Sequence, residues 1–207
     1  NEHKVQWVSD SICVYKSTFN LPKSVLNKQY STLNFDGLNT YATVKLNGKS
    51  LIKTNNAFRN YTIPIKGLIK SENAIDIRFN PTSIHENNAK AKLDVTMPEG
   101  NRIFTRKAQF QYGWDWGPVL NTSGIWKDIY VKAWNMAAID HIYLEENGYT
   151  DEKASFNVNV ALTNPAVLGS SIEVKVAGKV YVIELNEKQT VYAVPVNIEN
   201  PIFWWPH

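Results

Sequence analysis

Short runs of alternating or β-branched residues, separated by turn formers, limit the fold of this 207-residue chain more than any other feature. Apolar residues show almost no helical periodicity. The clearest run, residues 40–46, is followed by Asn47-Gly48 and a second run at 49–53. An Asn-Gly pair between two such runs predicts a β-hairpin, because both central residues of a type I′ turn need a positive φ angle. The sequence therefore predicts an all-β fold with antiparallel strands.

Two further strands and one long loop are predicted in the first two thirds of the chain. Residues 74–79 read as a strand that ends at Asn80-Pro81, and residues 125–134 read as another. The stretch from 81 to 100 is polar and weakly patterned, which predicts a long loop. Loops of that length are usually functional or mobile.

The spacing of predicted strands and turns becomes regular after Trp134. Five short strands are predicted there, at 139–144, 156–162, 172–176, 180–185 and 191–198. Turn formers separate them, and Glu146-Asn147-Gly148 is one such turn. This spacing is typical of an immunoglobulin-like β-sandwich, which needs about seven strands. We therefore expect a second domain that is cut short and that exposes an edge strand able to pair with another copy.

Composition and motif spacing exclude several classes of function. The 22 basic residues are scattered among 19 acidic ones, so we expect no nucleic-acid partner. No apolar run is long enough to cross a bilayer, and nothing at the start resembles a signal peptide, so no membrane partner is expected. The single Cys13 excludes an internal disulfide, and the four histidines lack metal-ligand spacing. No phosphate loop or nucleophile elbow is present, so we predict no catalytic, cofactor-binding or metal-binding residues.

One short segment carries residues suited to a sugar. Gly113 and Gly117 flank a rigid loop that brings Trp114, Asp115 and Trp116 together. An indole face packs on the C–H surface of a pyranose, and an ionised aspartate accepts hydrogen bonds from two hydroxyls. These residues alone leave a second interpretation open, a structural corner in which Asp115 caps backbone amides and both indoles are buried.

The motifs around this loop resemble the N-terminal part of glycoside hydrolase family 2, and within it most closely the β-mannosidases. They are RKAQFQYGWDWGP at 106–118, SGIW at 123–126, GLNTYATVKLNG at 37–48, NNAFRNY at 55–61 and FWWP at 203–206. The resemblance implies a jelly-roll sugar-binding domain at 1–134 and an immunoglobulin-like β-sandwich at 135–207. It further implies that Trp114 and Asp115, with Trp116 as their neighbour, bind substrate by helping to hold the terminal mannose.

In that family a (β/α)8 barrel follows and carries the two catalytic glutamates. The resemblance thus implies a non-catalytic N-terminal fragment of a retaining β-mannosidase, with a β-mannoside and its own barrel as partners. Retaining hydrolysis needs two carboxyl groups about 5–5.5 Å apart, and a barrel needs about 250 residues. We therefore expect this chain alone to be inactive.

Two other functions remain open from the sequence. One is an autonomous carbohydrate-binding module, which needs a complete aromatic platform in the first domain. The other is a structural sandwich pair used in adhesion or assembly. The resemblance favours a bacterial periplasmic or other extracytoplasmic location and leaves a lysosomal or cytoplasmic one open.

Overall fold

The computed structural model describes residues 2–95, 98, 100–165 and 167–206. The chain divides into two compact units at Ala133 and Trp134. The elements up to that boundary are a 3-10 helix (Glu2–Val8), β1 (Cys13–Asn20), α1 (Lys23–Leu26), β2 (Tyr30–Phe35), β3 (Leu38–Asn39), β4 (Tyr41–Leu46), β5 (Lys49–Lys53), β6 (Tyr61–Pro64), β7 (Glu72–Asn80), α2 (Thr82–Lys90), two 3-10 helices (Gly100–Phe104 and Gln109–Tyr112), β8 (Gly124–Ile125) and β9 (Ile129–Trp134).

The first unit is a β-sandwich. One sheet has the order β1-β7-β4-β5 and the other the order β6-β2-β9, while β3 pairs with β8. Side chains from both sheets meet in one core, which includes Phe35 of β2, Val44 of β4 and Phe79 of β7. Full burial of such a side chain contributes roughly 1.5–3 kcal/mol to folding, so this core holds the two sheets together.

The hairpin predicted around Asn47-Gly48 is confirmed. Strands β4 and β5 pair antiparallel, with Leu46 opposite Lys49. Asn47 and Gly48 have φ angles of 51° and 82°, as a type I′ turn requires. The Asn47 amide also donates to the backbone oxygen of Leu68 at 2.9 Å, which ties the turn to the following loop.

Two predictions for the first unit need correction. The single strand expected at 125–134 is two strands, β8 and β9. The long loop expected at 81–100 contains the helix α2, which begins directly after Pro81. The buried residues of α2 are Thr82 and Glu86, both polar. Because the inward face of this helix is polar, no apolar periodicity marked it in the sequence.

The second unit contains the five strands that its spacing predicted: β10 (Ile139–Tyr149), β11 (Lys153–Leu162), β12 (Ser171–Val176), β13 (Lys179–Glu184) and β14 (Val191–Glu199). One sheet has the order β10-β11-β14, and β12 pairs with β13. The core is formed by alternate residues of β11 and β14, which are Val158, Val160, Val194 and Val196.

The turn predicted at 146–148 is wrong, because β10 continues to Tyr149. Its pairing with β11 shifts register between Glu146 and Gly148, and Gly148 has a φ angle of 133°. An extra residue at a β-bulge accounts for turn formers inside a strand. The edge strand β10 is exposed along its whole length. Together the two units confirm the all-β class.

Candidate functional site

Trp114, Asp115 and Trp116 lie at the tip of a tight turn in the first unit. The Trp114 N–H donates to the Gly117 oxygen at 3.4 Å, and the Gly117 N–H donates to the Trp114 oxygen at 3.1 Å. Trp114 is 55% exposed and Trp116 is 87% exposed. The structural corner with two buried indoles is therefore wrong, since both rings face solvent.

The Asp115 carboxylate is also exposed and accepts no hydrogen bond from any residue that the structure describes. It does not cap backbone amides, which the alternative interpretation required. Both of its oxygens are thus available to an external donor. The turn presents a carboxylate between two accessible aromatic rings, an arrangement that suits hydroxyl and C–H groups of a sugar.

The base of the turn has a defined geometry. Gly113 has a φ angle of 105°, and a Cβ atom there would lie 3.0 Å from the Val119 side chain. The Leu120 N–H donates to the Gln111 oxygen at 3.0 Å, which closes the two stems of the loop. The Val119 N–H donates to the Glu2 carboxylate at 2.9 Å, so the first 3-10 helix supports the outgoing stem.

A buried polar network lies beneath the loop. Glu86 on α2 accepts hydrogen bonds from the Thr105 hydroxyl at 2.8 Å and from the Tyr112 hydroxyl. The Lys107 ammonium donates to the Thr122 backbone oxygen at 2.6 Å and to the Asn121 side-chain oxygen. Glu86 is 6% exposed and Lys107 is 2% exposed. Both charged groups are therefore held inside the fold directly next to the loop stems.

Burial shifts the pKa values of two members of this network. Desolvation lowers the pKa of Lys107 to about 8, and the opposing attraction of Glu86 only partly offsets it. Desolvation raises the pKa of Tyr112 to about 12, and the hydrogen bond to Glu86 acts in the same direction. The Tyr112 hydroxyl, whose pKa is raised in this way, therefore keeps its proton further into the alkaline range than an exposed tyrosine does.

Sequence reasoning missed the network. Glu86 fell within the predicted loop, and no residue pattern connects it to Tyr112, which lies 26 positions away. Lys107 and Tyr112 were noted only as letters of a motif. Lysine is mostly an exposed residue type and is almost never fully buried unless it is paired, so nothing local indicated that Lys107 lies inside the fold.

A cleft of about 460 Å³ lies beside the loop stems in the same unit. It is mainly apolar, and four of its lining residues are exposed aromatics: Tyr15, Phe58, Phe110 and Trp126. The Trp126 ring is fixed by a 2.9 Å hydrogen bond from its Nε1 to the Ala57 oxygen. Trp114, Asp115 and Trp116 do not line this cleft, so the loop tip and the cleft are separate features.

Within the described residues, no three or more His, Cys, Asp or Glu side chains cluster as metal ligands would. No helix among those residues combines the length and apolar character needed to cross a membrane.

Comparisons with known proteins relate the chain to one family. A family model described as the glycosyl hydrolase 2 galactose-binding domain-like module matches residues 1–127. The whole chain is 28% identical to a β-mannosidase B of Aspergillus flavus and 29% identical to a β-mannosidase of Rattus norvegicus. It spans 26% of the length of each. A crystal structure of a β-D-mannosidase from Dictyoglomus thermophilum superposes on all of this chain, and on 26% of its own, with a TM-score of 0.84 at 28% identity.

Proposed function

Because the chain belongs to the glycosyl hydrolase 2 family through its galactose-binding-like domain, we propose that it is the non-catalytic N-terminal region of a retaining β-mannosidase. The relatives named β-mannosidases match the chain over its full length and are about four times as long. In this proposal residues 1–134 form a jelly-roll sugar-binding domain and residues 135–207 an immunoglobulin-like one. The catalytic barrel and its two glutamates belong to the remainder of the parent enzyme.

The observation that carries the proposal is the exposed tip formed by Trp114, Asp115 and Trp116. The Asp115 side chain, with both oxygens accessible, accepts hydrogen bonds from two adjacent hydroxyls of a terminal mannose. Trp114, 55% exposed, offers a surface to the C–H groups of the same ring. We assign substrate binding to Trp114 and Asp115, with Trp116 as an adjacent contact.

The isolated chain would supply only one wall of such a site. We therefore expect it to bind mannose at millimolar strength or weaker, which corresponds to roughly 4 kcal/mol or less. We also expect it to release no nitrophenol from an aryl β-mannoside, because hydrolysis needs a pair of catalytic carboxyl groups. Micromolar affinity or reproducible turnover by this chain would contradict the proposal.

The decisive experiment is Asp115→Ala in the full-length protein, assayed on an aryl β-mannoside. Hydrogen bonds to a charged group contribute about 1.5–3 kcal/mol each, so we expect kcat/KM to fall at least about 10-fold. Asp10→Ala is the matched control, since Asp10 is an exposed aspartate of the same unit. An unchanged kcat/KM in the Asp115 variant would refute the assignment.

A second candidate, the autonomous carbohydrate-binding module, is favoured by one observation, the aromatic cleft of about 460 Å³. Trp126→Ala in the 207-residue chain distinguishes the two functions. If the cleft is a complete binding site, this change abolishes sugar binding and Asp115→Ala leaves it intact. The accessory function predicts that Asp115→Ala has the larger effect.

A further inference from the structure

The loop tip has little support of its own. Within the turn, the described contacts are the two backbone hydrogen bonds between Trp114 and Gly117. The positions of the indoles and of the Asp115 carboxylate therefore depend on the two stems, at Gln111–Tyr112 on one side and at Leu120–Thr122 on the other. A sugar-binding group is effective only when its geometry is held in advance, because any ordering on binding reduces the affinity.

The incoming stem is held through Tyr112, which directly precedes Gly113. Its hydroxyl donates to Glu86, and Glu86 is fixed on α2 and accepts a second hydrogen bond from Thr105. The last residue before the loop is thus attached to a helix rather than to the neighbouring loop segment.

The outgoing stem is held through Asn121 and Thr122. Lys107 donates to both, through the Asn121 side chain and the Thr122 backbone oxygen. The Asn121 amide in turn donates to the Thr82 hydroxyl of α2 at 3.1 Å. The Lys107 ammonium lies 5.8 Å from the centre of the Tyr112 ring, so the two stems meet at one cluster.

Burying a carboxylate and an ammonium is costly, and apolar residues of similar size often stabilise a fold as well or better. The geometry points to Glu86 and Lys107 as positioning residues that hold both stems of the loop, and with them Trp114 and Asp115, in the arrangement that contacts the mannoside. This inference rests on the proposed function for its substrate. It adds residues to that function which never touch the sugar.

Tyr112→Phe tests the inference, because it keeps the ring and removes only the hydroxyl that donates to Glu86. The reporter is hydrogen exchange of the Leu120 amide in the full-length protein, since that amide closes the two stems. We expect exchange at Leu120 to accelerate about 10-fold, as loss of a hydrogen bond to a charged partner predicts. Glu86→Gln, which keeps the size and removes the charge, is expected to act in the same direction.

The control for general destabilisation is Asn73→Ala. Asn73 is 1% exposed and its side chain bonds to the backbone of Lys70 and to Asn47, which closes a turn elsewhere in the unit. This variant is expected to accelerate exchange at the Lys70 amide and to leave Leu120 unchanged. If Tyr112→Phe also leaves Leu120 unchanged, the inference is overturned whether or not the chain binds sugar.

Kinetics on an aryl β-mannoside then connect the stems to the substrate. A misplaced loop weakens the contacts with the sugar, so Tyr112→Phe should raise KM by about 10-fold. A merely structural loss would instead lower the fraction of active enzyme, which lowers the apparent kcat and leaves KM unchanged. Faster exchange without any change in KM, in a protein that Asp115→Ala does impair, would overturn the inference. If Asp115→Ala has no effect, the proposed function fails, and the exchange result alone decides whether the network holds the loop.

Discussion

Lys107 makes the stability of the first unit depend on pH in a way that surface lysines do not. Its side chain is 2% exposed, and burial lowers its pKa from 10.5 to about 8. Below pH 8 the amine is protonated in both the folded and the unfolded chain. Between pH 8 and 10.5 the folded protein has released this proton and the unfolded chain still holds it. Stability therefore rises with pH across that window.

The magnitude follows from the two pKa values. Each pH unit inside the window adds at most about 1.4 kcal/mol, so the free energy of unfolding should increase by about 2 to 3 kcal/mol between pH 7 and pH 10. Tyr112 acts in the opposite direction at higher pH, because its pKa is raised from 10.0 to about 12. Its folded form keeps a proton that the unfolded chain loses, so its contribution declines above pH 10.

The assay is urea unfolding at pH 7, 8, 9 and 10 under reducing conditions, for the wild type and for Lys107→Met. The variant keeps an unbranched side chain of similar size and removes the titrating amine. Because all other groups titrate in both proteins, the difference between the two pH profiles isolates Lys107. Parallel profiles, with no gain specific to the wild type between pH 8 and 10, would refute this account of the buried amine.

Three further predictions concern packing around the site and the core. Gly37→Ala should lower the free energy of unfolding by about 1–3 kcal/mol in urea titrations, because the added Cβ would lie 2.4 Å from Nε1 of Trp126; an unchanged midpoint would contradict the close approach. Gly113→Ala should cost about 1–3 kcal/mol and weaken mannoside binding, since the φ angle there is 105°; wild-type affinity would show that the turn tolerates the change. Phe79→Ala should cost about 3–5 kcal/mol in thermal or urea unfolding, because the ring is fully buried, and a loss below 1 kcal/mol would argue against the core described.

Local sequence signals predicted the hairpin of β4 and β5, strand β7 and the five strands of the second unit, and they missed β2 and β6. The hairpin at Asn47-Gly48 needs only two residues with positive φ, and the five strands of the second unit need only short runs between turn formers. The nearby glycines predicted that Trp114, Asp115 and Trp116 share a tight loop, but only the structure showed that both indoles are exposed. The turn predicted at 146–148 failed because the same residue types serve a β-bulge, and only pairing with β11 distinguishes the two.

The sequence by itself determined the all-β class, the hairpin at Asn47-Gly48 and the identity of the loop residues, since each depends on neighbours within a few positions. The tertiary structure alone decided that α2 exists, because the residues it buries are polar and leave no periodic apolar signal. It also decided that Glu86, Lys107 and Tyr112 meet beneath the loop. Glu86 and Tyr112 lie 26 positions apart, and a buried charge becomes favourable only when folding brings its partners together.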